Sequence, residues 1–227
     1  MDIQEFDSRT AASQAAAEQL AKAIRRRMEA QEEASLVVSG GTTPAGCLEA
    51  LAAADLDWAN VHVVLSDERW VPPSDEDSNE RMVRETLLVG RAADAILLPM
   101  YAADTTVEDR AEALGTEIRS LPFPFAAALL GMGADGHFAS LFPDADDLAE
   151  NLDPESDVLC TAVRTAASPH PRLSLTLSAL SRTDEILLLI FGDEKRQTLD
   201  TAISSDELPI ARLLRQKRAP VSVYWAP

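Results

Sequence analysis

The sequence has few of the residues that build disulfide frameworks and metal sites. It contains two cysteines, Cys47 and Cys160, and three histidines among 227 residues. The cysteines lie far apart, and the histidines show no C-x-x-C, H-E-x-x-H or comparable ligand spacing. We therefore expect neither a structural disulfide nor a zinc site.

Long apolar runs are also missing, although 46% of the residues are hydrophobic. No run reaches the roughly 18 residues that a membrane-spanning helix needs. The first residues, MDIQEFDSRTAASQ, lack the basic start and the apolar stretch of a signal peptide. The chain is long enough to fill one core, and no linker rich in Ser, Gly or Pro divides it. These features predict one cytoplasmic domain over residues 1–227 with no membrane partner.

Positive charge is scarce as well. The chain has 20 Lys and Arg against 38 Asp and Glu, so its formal net charge is -18, and only three of its residues are lysine. Because nucleic acids and anionic membranes attract proteins through clustered Lys and Arg, neither is expected as a partner. An anionic substrate would need a local basic pocket and backbone N–H groups. Composition is equally compatible with a monomer and with a small homo-oligomer.

Apolar and amphipathic segments alternate along the chain. Apolar residues at helical spacing, without Gly or Pro, predict a helix from Ser8 to about Glu33. Short apolar runs predict six buried strands, at Leu36–Val38, Val61–Leu65, Phe125–Leu130, Val158–Val163, Ile186–Phe191 and Val221–Trp225. Amphipathic segments predict helices near 44–54, 78–90, 105–120 and 194–203. This alternation is typical of the α/β class, with a mainly parallel sheet flanked by helices.

Four polar clusters directly follow predicted strands. They are Ser39–Pro44, Ser66–Trp70, Gly131–His137 and Gly192–Lys195. Ligands of open α/β sheets bind at the carboxyl ends of the strands, so clusters from distant parts of the chain can meet in one crevice. We expect the functional site there.

The first cluster has the composition of a phosphate-binding turn. Gly40 and Gly41 permit a tight turn, Thr42 carries a hydroxyl donor, and Pro44 suits the first turn of a following helix. The alternative is an ordinary strand-to-helix turn with a Thr cap. The G-x-x-x-x-G-K-[ST] pattern of a nucleotide P-loop is absent.

The third cluster, Gly131–Gly136, formally fits the G-x-G-x-x-G pattern of dinucleotide-binding proteins. That pattern should open a helix, but Pro143 interrupts the segment that follows. The acidic residues about 20 positions on, Glu155 and Asp157, precede a strand instead of ending one. The context therefore argues against a dinucleotide site.

Histidine chemistry offers another interpretation of the same loop. His137 follows Asp135 by two residues, among glycines that permit close backbone approach, as a general base requires. A structural histidine is the alternative. His62, inside an apolar run, and His170, between two prolines, are predicted to be structural.

Three further charged positions have both a functional and a plain interpretation. The charged residues of Asp67–Arg69 either belong to a functional site or are ordinary solvent-exposed residues of a strand-end loop. Arg172 begins Arg172–Leu177, which alternates like a half-buried strand, and Lys195 follows the apolar run that ends before Gly192. Each cation is a candidate anion ligand or an ordinary surface charge.

Taken together, these residues resemble the 6-phosphogluconolactonases, in a group that also includes the glucosamine-6-phosphate deaminases. The resemblance covers nearly the whole chain, through VVSGGTTP, LSDERWVPPSDEDSNERMVRETLL, LLGMGADGHFASLFP, PHPRLSLTLSAL and LLLIFGDEKRQTL. The third stretch is highly specific, whereas the first alone is weak. The resemblance implies a modified Rossmann-like α/β domain that acts without a metal or organic cofactor.

The resemblance also implies a reaction and a set of site residues. The reaction is hydrolysis of 6-phosphogluconolactone to 6-phosphogluconate, a step of the oxidative pentose phosphate pathway, with the phosphorylated sugar lactone as the small-molecule partner. The implied phosphate site comprises Gly40, Gly41, Thr42, Arg172 and Lys195. The residues implied around the reacting ring are Asp67, Arg69, Asp135 and His137, with His137 as general base.

Two alternatives remain beside the lactonase interpretation. Deaminases share the Gly-Gly-Thr loop and the Asp-Gly-His triplet, but they typically read Asp-Glu-Tyr where this chain has Asp67-Glu68-Arg69. They also carry a glutamate shortly after the histidine, whereas Ala139–Pro143 contains none. Both features favour a lactonase. A non-catalytic sugar-phosphate-binding protein is the second alternative, and it would bind such ligands without turnover.

Overall fold

The protein folds into two β-sheets and eight α-helices. The structure is a computed structural model that describes residues 1–227. The strands are β1 (Asp2–Glu5), β2 (Ala34–Val38), β3 (Val61–Leu65), β4 (Asp67–Arg69), β5 (Ile96–Leu98), β6 (Ala127–Leu130), β7 (Cys160–Val163), β8 (Arg172–Leu175), β9 (Ile186–Phe191) and β10 (Val221–Ala226). The helices are α1 (Arg9–Ala30), α2 (Thr42–Ala52), α3 (Asn79–Thr86), α4 (Val107–Arg119), α5 (Leu148–Asn151), α6 (Leu177–Leu180), α7 (Asp193–Ser204) and α8 (Pro209–Arg215).

The main sheet has seven strands in the order β1-β10-β9-β6-β2-β3-β5, and every neighbouring pair is parallel. Strands β2 and β6 are buried along their whole length, as continuous apolar runs predict. The predicted α/β class with a mainly parallel sheet is thus confirmed. From β2 the chain proceeds to β3 on one side, whereas β6 lies on the other. The strand order therefore reverses at β2 and β6, which is where α/β sheets form ligand crevices.

A second, antiparallel sheet has the order β4-β8-β7. The prediction of a strand-end loop at Ser66–Trp70 is wrong in part. Residues Asp67–Arg69 form a strand that pairs with β8, and Glu68 is buried. The run Val158–Val163 does form a strand, from Cys160 onward, but in this small sheet. The strand predicted over Arg172–Leu177 ends at Leu175, since Thr176 caps α6.

Helices of the main sheet follow the predicted positions to within a few residues. Helix α1 begins after Ser8, whose side chain accepts a hydrogen bond from the N–H of Ala11, and it ends at Ala30, before the predicted Glu33. One apolar core of 60 buried residues connects these helices with both sheets. None of the helices combines the length and the apolar character needed to cross a membrane.

The cysteines and two of the histidines lie outside the cleft described below. Cys47 and Cys160 are buried and unpaired, and burial raises the pKa of each thiol to about 12. His62 lies on β3 beside Glu33, and His170 lies 3.3 Å from a carboxylate oxygen of Asp77. No group of three or more His, Cys, Asp or Glu side chains is arranged to hold a metal ion.

Candidate active site

A cleft of ≈ 550 Å³ opens at the carboxyl edge of the main sheet. The four polar clusters follow β2, β3, β6 and β9, which are neighbours in the order β9-β6-β2-β3, so the topology brings them together. All nine residues predicted for the site line this cleft: Gly40, Gly41, Thr42, Asp67, Arg69, Asp135, His137, Arg172 and Lys195. The expected convergence of distant segments is therefore present.

The glycine loop after β2 ends in a helix N-terminus without a side-chain cap. Gly41 is the N-cap of α2 at φ 92°, a left-handed conformation that favours glycine, and no side chain caps the helix. Thr42 is the first helical residue, so the alternative of a Thr cap is wrong. The first N–H groups of α2 are thus left for an external acceptor, and the helix dipole favours an anion there.

Asp67 forms a buried ion pair with Arg172. Its Oδ2 accepts hydrogen bonds from Ser140 Oγ at 2.6 Å and from Arg172 Nη1 at 3.2 Å, and its Oδ1 accepts from Ser66 Oγ at 2.9 Å. Asp67 is 6% exposed. Both of its carboxylate oxygens therefore already have partners within the protein, and Arg172 is one of them.

Arg172 is held by several groups but keeps one free end. Its Nε donates to Ser168 Oγ at 3.2 Å, and its guanidinium carbon lies 5.3 Å from the ring centre of Phe142. Burial lowers the pKa of Arg172 below its usual value, an effect that Asp67 opposes and neighbouring Arg69 reinforces. Since Nη2 has no protein partner, this half-buried cation can still bind an anion in the cleft.

Arg69 lies opposite Arg172 on the antiparallel ladder of β4 and β8. Its Nη1 donates to the backbone oxygen of Asp77 at 2.9 Å and to Oδ1 of Asn79 at 2.6 Å. Two like charges at directly opposed positions repel each other unless an anion lies near them. Asp67 supplies such an anion for Arg172, whereas Arg69 has no carboxylate partner and therefore adds positive charge to this part of the cleft.

His137 and Asp135 form a hydrogen-bonded dyad in the loop after β6. The distance between His137 Nδ1 and Asp135 Oδ1 is 2.5 Å. A hydrogen bond of this kind is suited to a proton on Nδ1, and Nε2 has no partner in the protein. The backbone oxygen of His137 accepts a hydrogen bond from the N–H of Gly133 at 2.9 Å. The centres of the His137 and Phe142 rings are 4.2 Å apart. These contacts fix the orientation of the imidazole.

Lys195 supplies a cation without a partner in the protein. It lies in the first turn of α7, whose N-cap Gly192 has φ 87° and provides no side-chain cap. Burial lowers the pKa of the Lys195 ammonium below its usual 10.5, and Glu194 opposes this effect. A partly desolvated, unpaired ammonium beside an uncapped helix N-terminus is suited to an anionic ligand.

Three residues of the site are not among those that the sequence predicts. Asn79 contacts Arg69, Ser140 bridges Asp67 and Arg172, and Phe142 packs against His137. Their sequence signals were weak, because a buried Asn, Ser or Phe is common in any core. Only the Ser78-Asn79 pair at a predicted helix start hinted at a special position.

Comparison with known proteins agrees with this arrangement. The family model described as glucosamine-6-phosphate isomerases/6-phosphogluconolactonase matches residues 7–225. A 6-phosphogluconolactonase from Mesorhizobium japonicum is 42% identical over 98% of this chain and 94% of its own length. Another, from Rhizobium meliloti, is 37% identical over 98% of this chain and 97% of its own.

A solved structure shows the same fold in detail. The crystal structure of a 6-phosphogluconolactonase from Shewanella baltica OS155 superimposes with a TM-score of 0.96 at 35% identity, covering 100% of this chain and 98% of its own. Sequence and structure therefore agree over the full length of the chain, which belongs to the family of glucosamine-6-phosphate isomerases and 6-phosphogluconolactonases.

Proposed function

We propose that the protein hydrolyses 6-phosphogluconolactone to 6-phosphogluconate, a reaction of the oxidative pentose phosphate pathway. The observation that carries the proposal is the His137–Asp135 dyad, which shares one cleft with an unpaired lysine and an uncapped helix N-terminus. A base and an anion site in one cleft are what a phosphorylated ester requires. The 6-phosphogluconolactonases similar to this chain support the same reaction.

In the proposed mechanism His137 is the general base. Its Nε2 takes a proton from water as the water oxygen attacks the lactone carbonyl carbon, and Asp135 stabilises the imidazolium that forms. Collapse of the tetrahedral intermediate breaks the bond to the ring oxygen, which receives the proton from the imidazolium. The product acid then ionises at neutral pH, so each turnover releases one proton to solution.

Arg69 and backbone N–H groups of the Gly131–Gly136 loop are proposed to stabilise the oxyanion of that intermediate. The guanidinium of Arg69 is already held by Asp77 and Asn79, so little reorganisation is needed during the reaction. Asp67 serves the site by pairing with Arg172.

The substrate phosphate is proposed to bind in the same cleft. Its ligands are the uncapped start of α2 at Gly40, Gly41 and Thr42, together with Lys195 and the free Nη2 of Arg172. Binding energy at this remote group positions the lactone for attack.

A deaminase would need a glutamate shortly after His137, and this chain has none there. The segment after His137 brings Phe142, not an acid, against the imidazole ring, and Arg69 stands where deaminases typically have tyrosine.

We therefore expect rapid opening of fresh 6-phosphogluconolactone and no ammonia from glucosamine 6-phosphate. A proton-release assay, corrected for spontaneous lactone opening and run beside an ammonia assay, checks both. Substantial ammonia release would overturn the assignment, and binding without any turnover would indicate the non-catalytic alternative.

Affinity for the phosphorylated product should depend on the charge of Lys195. Because the pKa of Lys195 is lowered, its ammonium loses its proton below pH 10.5, the value for an ordinary lysine. Affinity for 6-phosphogluconate should therefore fall about tenfold as the pH rises through this pKa, since a charge-assisted hydrogen bond is lost. Titration calorimetry between about pH 7 and about pH 10.5 measures the change, because the phosphate stays dianionic in that range.

Lys195→Arg is the matched control for this experiment. The arginine keeps its charge up to about pH 12, so the variant should bind 6-phosphogluconate with little change over the same range. If the wild type and Lys195→Arg weakened in parallel, Lys195 would not be the group that senses pH.

A further inference from the structure

Asn79 lies at the start of α3, the helix that follows β4, and also borders the cleft. It is the first residue of α3 and is 4% exposed, yet it lines the cleft beside Arg69. Its backbone N–H donates to Oε1 of Glu68 at 2.7 Å. A buried amide side chain in this position must satisfy both its donor and its acceptor within the protein.

The amide of Asn79 does so with two groups of the site. Its Oδ1 accepts from Arg69 Nη1 at 2.6 Å, and its Nδ2 donates to the backbone oxygen of Asp67 at 2.8 Å. The amide accepts one of these hydrogen bonds and donates the other, so the Arg69 guanidinium and the Asp67 carbonyl together determine how it is oriented. An aspartate here could keep the first bond but would place an acceptor against the Asp67 carbonyl.

The same side chain also contacts the glycine loop. A Cβ atom added to Gly40 would overlap the Asn79 amide, so the loop approaches this side chain as closely as a glycine allows. Asn79 therefore touches the loop after β2 and the arginine of β4 at once. A shift of Asn79 would disturb both.

Glu68 anchors Asn79 from the side away from the cleft. Its carboxylate is 1% exposed and accepts from the N–H groups of Arg69, Asn79 and Glu80 and from Ser78 Oγ, at 2.7–3.0 Å. Burial raises the pKa of Glu68, and these four hydrogen bonds oppose that effect. The start of α3 is thus fixed to β4, and Asn79 has little freedom to move.

We propose that Asn79 is a positioning residue that holds the guanidinium of Arg69 in the orientation needed for lactone opening, an inference that rests on the proposed function. Without the amide, Arg69 keeps only the backbone oxygen of Asp77 as a partner and can turn away from the ring carbonyl. Asn79 itself does not contact the reacting atoms.

The kinetic test compares Asn79→Ala, Arg69→Ala and the double variant. Asn79→Ala should lower kcat/KM for 6-phosphogluconolactone about tenfold. In the Arg69→Ala background the same change should cause almost no further loss, because the group that Asn79 positions is gone. Losses that multiply in the double variant would overturn the proposal. Absence of turnover in the wild type would instead overturn the proposed function.

A second measurement does not depend on activity. Phenylglyoxal modifies accessible arginines, and mass spectrometry follows the rate at each site in the free protein. Arg69 should react several-fold faster in Asn79→Ala than in the wild type, and Asn79→Asp, which keeps an acceptor for Nη1, should restore the slow rate. Asn151→Ala, at a buried asparagine of α5 outside the cleft, should leave the Arg69 rate unchanged. Unchanged labelling of Arg69 in Asn79→Ala, or equally faster labelling of every arginine, would overturn the proposal.

Discussion

Replacing His137 with Asn is expected to lower kcat by about 10²- to 10⁴-fold while binding of 6-phosphogluconate changes little. Asparagine has a comparable size and retains a hydrogen-bonding group toward Asp135, but it has no basic nitrogen at the position of Nε2. The proposed phosphate ligands are other groups of the cleft, at the start of α2 and at Arg172 and Lys195. Stopped-flow proton release measures kcat after subtraction of the spontaneous reaction, and calorimetry measures binding.

His170→Asn is the control for a general effect of removing a histidine. His170 contacts Asp77 and does not line the cleft, so this variant should keep a kcat near that of the wild type. A near-normal kcat in His137→Asn, with the same loss of activity at low pH as the wild type, would make a carboxylate the better candidate for the base, and Asp67 would then be the next residue to replace.

Replacing Gly133 with Ala should lower kcat about 10²-fold without a comparable loss of stability. A Cβ atom at Gly133 would overlap the imidazole of His137 and the carboxylate of Asp135. Gly133 does not have a positive φ, so alanine is compatible with the backbone, and the dyad must move instead. Displacement of a catalytic group by about 1 Å can reduce the rate about 10²-fold. Steady-state kinetics, together with thermal denaturation, separates the two effects.

Gly115→Ala provides a matched control. Gly115 lies inside α4, and the nearest atoms to an added Cβ are at 3.9 Å, an ordinary contact distance. This variant should retain full activity and gain some stability, because alanine favours a helix over glycine. If Gly133→Ala retained wild-type kcat, the close packing of the dyad against Gly133 would have no catalytic importance.

Much of the fold was predictable because its buried strands are short and mostly apolar. The apolar segments that form β2, β3, β9 and β10 favour buried strands over other structures. Strand β1, in contrast, has the sequence DIQE and lies at the edge of the sheet, mostly exposed, so no hydrophobic pattern marks it. Strand β4 consists of three charged residues, and its conformation depends on pairing with β8.

The composition of the site was predictable, but its pairings were not. Both Asp67 and Asp135 were reasonable partners for His137 in the sequence. Their roles separate only in three dimensions, because Ser140 and Arg172, which come later in the chain, occupy Asp67. Asn79 is a further example, because the role proposed for it depends on its contacts with Arg69 and Gly40 in the folded protein. Long-range hydrogen bonds of this kind leave no periodic signal along the chain.

The position of β10 has a consequence for the order in which the main sheet can form. Strand β10 lies between β1 and β9, Asp2 pairs with Ser222, and the Phe6 N–H also donates to the carbonyl of Trp225. The only neighbour of β1 in the sheet is therefore a strand that is very distant from it in sequence. Because such pairing requires closure of a long loop, we expect β1 to join the sheet late in folding.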